Sequence, residues 1–317
     1  MNKLAVIALG GNAILRSDQK GTIQEQDINV MDSLENIVFM IKGGYNIILS
    51  HGNGPQVGNI VMRNDAGEQV YNIAQMPLDI CVADSQGGIG YMIERNLRNL
   101  LKKHGLKRDV VTLVSQVLVD KNDPAINNPS KRIGKLYSKE KAMELTKSKG
   151  WLFKDSPKKK GSVRRVVASP RPIEIFNRDS IARLAKEGVI VITVGGGGVP
   201  VYKDESGMLQ PVEGVIDKDM ASSVLAQKIG ADEFYILTDV PFVYMNYGKE
   251  NQEILEFLDE TDTLKYLESG QFSEGSMQPK IKAALEFVQN GGEKSIITES
   301  RKLEDKSFGT KITLKYE

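Results

Sequence analysis

The chain is poor in the residues that build redox or zinc chemistry: among 317 residues there are one cysteine, Cys81, and two histidines, His51 and His104. One cysteine excludes an intrachain disulfide framework and fits a reducing compartment such as the cytoplasm. Three such side chains cannot supply the usual His/Cys set of a zinc site. Oxygen-ligated Mg²⁺ stays open, because it needs only carboxylates and phosphate. A large surplus of either sign of charge is also missing: 42 Lys+Arg stand against 41 Asp+Glu, for a net +1. That balance argues against a basic nucleic-acid binder and against an acidic disordered tail. No run of about 18 apolar residues occurs, so no transmembrane helix is expected. The start from Met1 is apolar only briefly before Gly10-Gly11-Asn12, and it reads as a buried strand rather than a leader. The G-x-x-x-x-G-K-[ST] pattern is absent, which excludes an ordinary P-loop.

What the chain does have is a core and a strict rhythm. Residues 4–9, 46–50, 110–114, 189–194 and 234–237 are short apolar runs, as expected of parallel strands buried on both faces. Between them Ile28, Met31, Leu34, Val38 and Ile41 fall at helical spacing, as do Ile89, Ile93, Leu97, Leu100 and Leu101, and later Ile281, Leu285 and Val288. Alternation of strand and helix along the whole chain gives an α/β fold, an open and mostly parallel central sheet sandwiched by helices.

One stretch breaks the rhythm. Residues 120–165 carry Asp123-Pro124, Asn128-Pro129 and the basic run Lys158-Lys159-Lys160 beside Pro157. A structureless loop of that length does not suit a compact domain, so a small protruding lid subdomain is expected, with a helix at 138–147. The basic run reads as a solvated face. The expected organisation is an amino-terminal lobe of residues 1–119 and 166–200, the excursion 120–165, and a carboxyl-terminal lobe of residues 201–317.

Glycine is in excess, at 30 residues, and it clusters. Gly10-Gly11-Asn12-Ala13, Gly52-Asn53-Gly54-Pro55-Gln56-Val57-Gly58 and Gly195-Gly196-Gly197-Gly198 each follow an expected strand. Turns at the carboxyl ends of parallel strands are where open α/β sheets bind ligands. Glycine there lets backbone N–H groups surround an anion. Three such turns at one end of a sheet point to a phosphate-handling cleft. The second turn has the wrong spacing for G-x-G-x-x-G, which weakens a dinucleotide fold. Two lysines add to this. Lys218 follows Asp217, a natural N-cap, and Lys280 follows Ser276-Met277-Gln278-Pro279. A cation in the first turn of a helix opposes the helix dipole. Two of them suggest a polyanion between them, with Asp217 and Asp219 holding the Lys218 region.

Taken together, Ala8-Leu9-Gly10-Gly11-Asn12-Ala13, the Gly52–Gly58 turn, Asn128-Pro129-Ser130-Lys131 and Ile216-Asp217-Lys218-Asp219 resemble the carbamate kinases. Ser85-Gln86-Gly87-Gly88-Ile89-Gly90-Tyr91, Leu237-Thr238-Asp239-Val240 and Gly275-Ser276-Met277 extend the resemblance, which is collinear from residue 5 to about residue 310. It implies the amino-acid-kinase fold and the interconversion of carbamoyl phosphate plus ADP with carbamate plus ATP. It further implies a cytoplasmic homodimer that uses Mg²⁺ carried by ATP or ADP, with no nucleic-acid or membrane partner. By resemblance, Gly10, Gly11 and Asn12 meet the transferred phosphoryl group, and Gly52, Asn53 and Gly54 cradle the carbamoyl end. Lys218 and Lys280 neutralise phosphate, Asp217 orients Lys218, and Lys131 reaches in from the excursion. Gly196, Gly197, Thr238, Asp239, Tyr244 and Met277 fall on the nucleotide side. No protein side chain is assigned to the metal. His51 and Cys81 are expected to be structural.

The chain departs from the family pattern at Arg132, Gln278, Val82 and Asp84. Those departures motivate one alternative, a non-catalytic sensor of carbamoyl phosphate or nucleotide. A sibling kinase acting on an amino-acid carboxylate would lack the Asn-Pro-Ser-Lys excursion. A nicotinamide oxidoreductase conflicts with the glycine spacing.

Overall fold

The five apolar runs become neighbours in one sheet. The computed structural model describes residues 2–16, 18–156, 159–305 and 308–315. Met1, Pro157 and the first lysine of the basic run, Lys158, lie outside the described residues. The chain begins β1 (Leu4–Leu9), α1 (Ile23–Lys42), β2 (Asn46–His51), α2 (Gly54–Tyr71), α3 (Leu78–Lys103), β3 (Val110–Thr112) and β4 (Gln116–Leu118). The excursion follows as α4 (Pro124–Asn127), β5 (Lys131–Ser138), α5 (Lys139–Lys149), β6 (Leu152–Asp155) and β7 (Ser162–Val167). The chain returns through β8 (Glu174–Ile175), α6 (Arg178–Lys186), β9 (Ile190–Ile192), β10 (Val199–Lys203) and β11 (Leu209–Pro211). It ends with α7 (Lys218–Ile229), β12 (Glu233–Thr238), β13 (Val243–Met245), β14 (Glu253–Leu255), β15 (Phe257–Leu258), α8 (Glu260–Glu268), α9 (Met277–Gln289), β16 (Lys294–Glu299) and β17 (Thr310–Ile312).

The main sheet has the order β15-β17-β16-β12-β1-β2-β9-β3, and β16–β17 is its antiparallel pair. Every residue of β1 is buried, because helices cover both faces. Ala5, Ile7 and Leu9 pack with Leu34 and Ile37 of α1 and Ile93 and Leu97 of α3. Val6 and Ala8 point the other way, to Leu225 of α7 and Ile281 and Leu285 of α9. This period-two division of a continuous apolar run is what a two-sided sheet requires. The sheet runs unbroken through both expected lobes, and the boundary expected at 200 falls inside β10.

Thr22 and Glu25 form a capping box that starts α1. Ile28, expected on its buried stripe, is 61% exposed. A helix turns by about 100° per residue, which leaves Ile28 roughly 150° from the centre of the stripe set by Val30, Leu34, Ile37 and Ile41, close to the opposite face. The excursion is a three-stranded sheet, β5-β7-β6, with α5 beside it, and β7 continues two residues past 165. It is fastened to α2, with Lys149 paired to Asp65 and, at 3.1 Å, to Glu68. Among the described residues no helix is long and apolar enough to cross a membrane.

Candidate active site

Two glycine turns and the starts of α7 and α9 converge at the carboxyl ends of β1, β2 and β12. Gly10 follows β1 so closely under β12 that a Cβ there would lie 2.4 Å from the carbonyl oxygen of Leu237. A Cβ on Gly52 would sit 3.6 Å from Cδ of Lys218 and 3.8 Å from Cα of Gly11. The first turn, the second turn and the Lys218 side chain are therefore stacked in contact. Among the described residues nothing beyond the adjoining chain lies within 4 Å of a Cβ position at Gly11 or Gly54, so those backbones stay open to a ligand.

Between the turns lies a cluster of five charged groups. Asp217 caps α7, its Oδ1 accepting from the N–H groups of Asp219 at 3.0 Å and Met220 at 3.3 Å. Its Oδ2 accepts from Lys131 Nζ at 2.8 Å. Asp219 is 3% exposed. It bridges two lysines, taking Lys218 on Oδ1 and Lys280 on Oδ2, the latter at 2.7 Å. Orientation of Lys218 therefore falls to Asp219, and not to Asp217 as the sequence suggested: the oxygens of Asp217 are occupied by its cap and by Lys131. Burial would raise the carboxyls of Asp217 and Asp219, but the surrounding lysines outweigh it and hold both below the usual range. Burial pulls Lys218 down from the ordinary lysine range, with Lys280 adding to that and Asp219 opposing it. Burial also opposes the charge of Lys280, yet Asp219, Asp217 and Asp239 together raise it. Three lysines against two aspartates leave the cluster with one positive charge in excess, its Asp219 pairs largely withdrawn from water and its Lys131–Asp217 pair partly open to it.

A cavity of about 580 Å³ opens beside the cluster, lined by Thr238, Asp239, Tyr244, Tyr247, Met277 and Lys280 among others. Tyr244 and Tyr247 stand with ring centroids 5.8 Å apart, offering an aromatic wall. Asn12 donates to Asp239 at 3.0 Å, so the first glycine turn touches the mouth of this cavity. Thr238, Asp239, Tyr244, Met277 and Lys280 thus come together as the sequence suggested. Gly196 and Gly197 do not line the cavity. A Cβ on Gly196 would lie 2.1 Å from Asn53 Nδ2, and one on Gly197 would lie 2.7 Å from the Ile216 carbonyl oxygen. Gly196 packs on Asn53 of the second turn and Gly197 on Ile216 just ahead of α7, and that close packing leaves no room for a side chain at either position. Asn53 is likewise buried, and it donates from Nδ2 to Ser85 Oγ at 2.8 Å. Its side chain locks the turn, leaving the backbone around Gly54 to face a ligand.

His51 is 1% exposed and contacts the carbonyl oxygen of Gly52 at 3.0 Å. Burial pushes its pKa down to about 4, with Lys218 adding to the effect against that carbonyl. It is neutral near pH 7 and structural. A larger groove of about 920 Å³ lies at the amino ends of the strands, around Lys3, Arg108 and Gly188. In an α/β sheet that is the end away from the ligand crevice. Among the described residues no group of three His, Cys, Asp or Glu side chains could hold a metal ion. Sequence reasoning gave Asp219 a supporting place and passed over Tyr247. The signal for Asp219 was there, in a lysine flanked by two aspartates.

Residues 3–299 match the model of the Amino acid kinase family. The chain is 45% identical over 302 residues to the carbamate kinase of Pyrococcus furiosus, covering 95% of each chain. It is 47% identical over 297 residues to that of Thermococcus kodakarensis, covering 93% of each. A carbamate kinase from Giardia lamblia bound to AMP-PNP superposes with a TM-score of 0.90 at 38% identity, covering 98% of each chain.

Proposed function

The chain belongs to the carbamate kinases of the amino acid kinase family, and on that premise we propose how its residues divide the reaction. It transfers a phosphoryl group reversibly between carbamoyl phosphate with ADP and carbamate with ATP. The observation that carries the assignment of residues is the Lys131–Asp217–Lys218–Asp219–Lys280 cluster, set between open glycine turns and an aromatic-walled cavity.

Toward ATP, an oxygen of the ADP β-phosphate attacks phosphorus, the bond from phosphorus to the carbamate oxygen breaks, and carbamate leaves as an anion. In reverse, carbamate attacks as an anion already, so no general base is needed, which suits a neutral and buried His51. Phosphoryl transfer asks chiefly for positioning and charge neutralisation. Backbone N–H groups of Gly10, Gly11 and Asn12 receive the transferred phosphoryl oxygens, and Lys218 and Lys280 supply the excess positive charge. The Gly52–Gly54 backbone and Lys131 hold the carbamoyl end. Gly196 backs Asn53 on that side, through the contact described above. The nucleotide occupies the cavity of Thr238, Tyr244 and Met277.

The family implies Mg²⁺ carried by the nucleotide. Asp217 and Asp219 are ion-paired to lysines, whereas Asp239 is exposed at the cavity mouth, where its hydrogen bonds among the described residues are to the neutral side chains of Asn12 and Thr238 and Lys280 acts on it only through charge. With nucleotide phosphate oxygens it fits a hard cation, which when bound neutralises phosphate charge. The two-lobe division, with residues 120–165 as a lid, belongs to the same proposal. So do a cytoplasmic location and a homodimer; Ile80 and Tyr91 on α3, 43% and 65% exposed, suit a partner surface.

A coupled assay of ATP formation from carbamoyl phosphate, ADP and Mg²⁺ tests the function. Saturable ATP production is expected. Binding of ADP without any ATP formed would fit the non-catalytic sensor instead.

A further inference from the structure

We infer that Gly58 and Gly134 are positioning residues for Lys131: their backbone contact, reinforced by the Lys149 ion pairs, makes α2 a bracket that fixes β5 beside the second glycine turn. This rests on the proposed function, in which Lys131 meets the carbamoyl end. The helix α2 begins at Gly54, directly after Asn53, whose amide is fastened to Ser85. One turn in, Gly58 is buried against β5. A Cβ there would lie 2.2 Å from Gly134 Cα and 2.4 Å from Gly134 N. Those are backbone atoms and cannot swing aside as a side-chain end could. Gly134 has φ +68° at the register break of β5 between Ile133 and Leu136, a conformation that suits glycine. Lys131 lies three residues back, about 10 Å along an extended strand. Further along α2, Asp65 and Glu68 receive Lys149 from α5. One helix thus carries the end of the substrate turn and holds the excursion at two places along its length.

The excursion is held by a glycine-to-glycine contact that any side chain would pry open. Carbon atoms in contact sit about 3.5–4 Å apart. A methyl group on Gly58 must therefore move β5 by more than about 1 Å, and a misplacement of that size costs on the order of 100-fold in rate.

The test is a double-mutant cycle in the full-length protein, read by ATP formation. Gly58→Ala should lower kcat/KM for carbamoyl phosphate by about 10- to 100-fold. Its ADP affinity should stay within about threefold of wild type, because the contact lies away from the nucleotide cavity. In a Lys131→Met background, Gly58→Ala should change kcat/KM by less than about twofold, because it acts through that lysine. Losses that multiply in the double variant, or a Gly58→Ala enzyme with wild-type kcat/KM, would overturn the inference. Should Gly58→Ala not fold, Lys149→Met gives the same cycle with a smaller loss, and multiplying losses there count against the bracket too. Amide hydrogen exchange across residues 131–138, measured without substrate, should quicken in Gly58→Ala; unchanged exchange overturns the bracket whether or not the enzyme turns over. Absence of ATP formation by the wild type would count against the proposed function, and the exchange measurement still judges the bracket.

Discussion

Lys131 and Asp217 stand 86 residues apart in the chain and meet across the site, Nζ to Oδ2, at 2.8 Å. The pair joins the first strand of the excursion to the cap of α7. Its two side chains are 34% and 26% exposed. An ion pair so open to water contributes about 1 kcal/mol or less, so Lys131 can exchange Asp217 for an arriving dianion at little cost. The Asp219 pairs are different, being far more withdrawn from water.

Lys280→Met should lower turnover by about 100-fold, the scale for losing one preorganised charge contact. It should also lower the melting temperature, because Asp219 keeps only Lys218. Steady-state kinetics and calorimetry check both parts. Near-normal turnover would remove Lys280 from the site.

Asp217→Asn and Asp219→Asn should separate cap from hub. Asparagine still caps a helix, so the first should change stability by no more than about 1 kcal/mol. The second leaves two buried lysines without their shared carboxylate and should cost about 3–5 kcal/mol. Chemical denaturation of both variants gives the comparison, and equal losses would contradict it.

Stability should fall in mild acid because of His51. Unfolded, a histidine titrates near ~6.5, whereas folded His51 resists protonation down to about 4. Between those values the unfolded chain binds more protons, so stability is fully present above about pH 6.5 and declines below it, by about 3 kcal/mol in all. Unfolding free energy measured against pH should lose this slope in His51→Gln. An unchanged slope would place its origin elsewhere.

Cys81 should resist thiol reagents in the native protein. Its side chain is fully buried, and burial, with Asp84 and Glu213 nearby, pushes the thiol up to about 11. A colorimetric thiol titration should find one reactive group only after denaturation. Rapid native labelling would contradict the packing.

The strands were legible because a parallel sheet buried on both faces leaves apolar runs such as Leu4–Leu9. The glycine turns and the two lysines were legible because glycine at a strand end and a cation in a helix's first turn each demand a reason. What could not be read was which atoms share a partner. Asp219 meets Lys280 across 61 residues, and no local pattern announces that pair. Gly196 and Gly197 carried the signal of an anion cradle, yet Asn53 and Ile216 fill the space a Cβ would need. Ile28 shows the limit of periodicity: three- and four-residue spacings continue around a helix past the edge of its buried face.

The central claim is that phosphoryl passes directly from carbamoyl phosphate to ADP under the Lys218–Asp219–Lys280 cluster. Time-resolved ³¹P NMR of carbamoyl phosphate, ADP and Mg²⁺ with the protein tests it most directly. The ATP γ-phosphate signal should grow in step with the loss of carbamoyl phosphate, and Lys218→Met should slow both by about 100-fold. Consumption of carbamoyl phosphate to inorganic phosphate without ATP, or a Lys218→Met enzyme as fast as wild type, would contradict it.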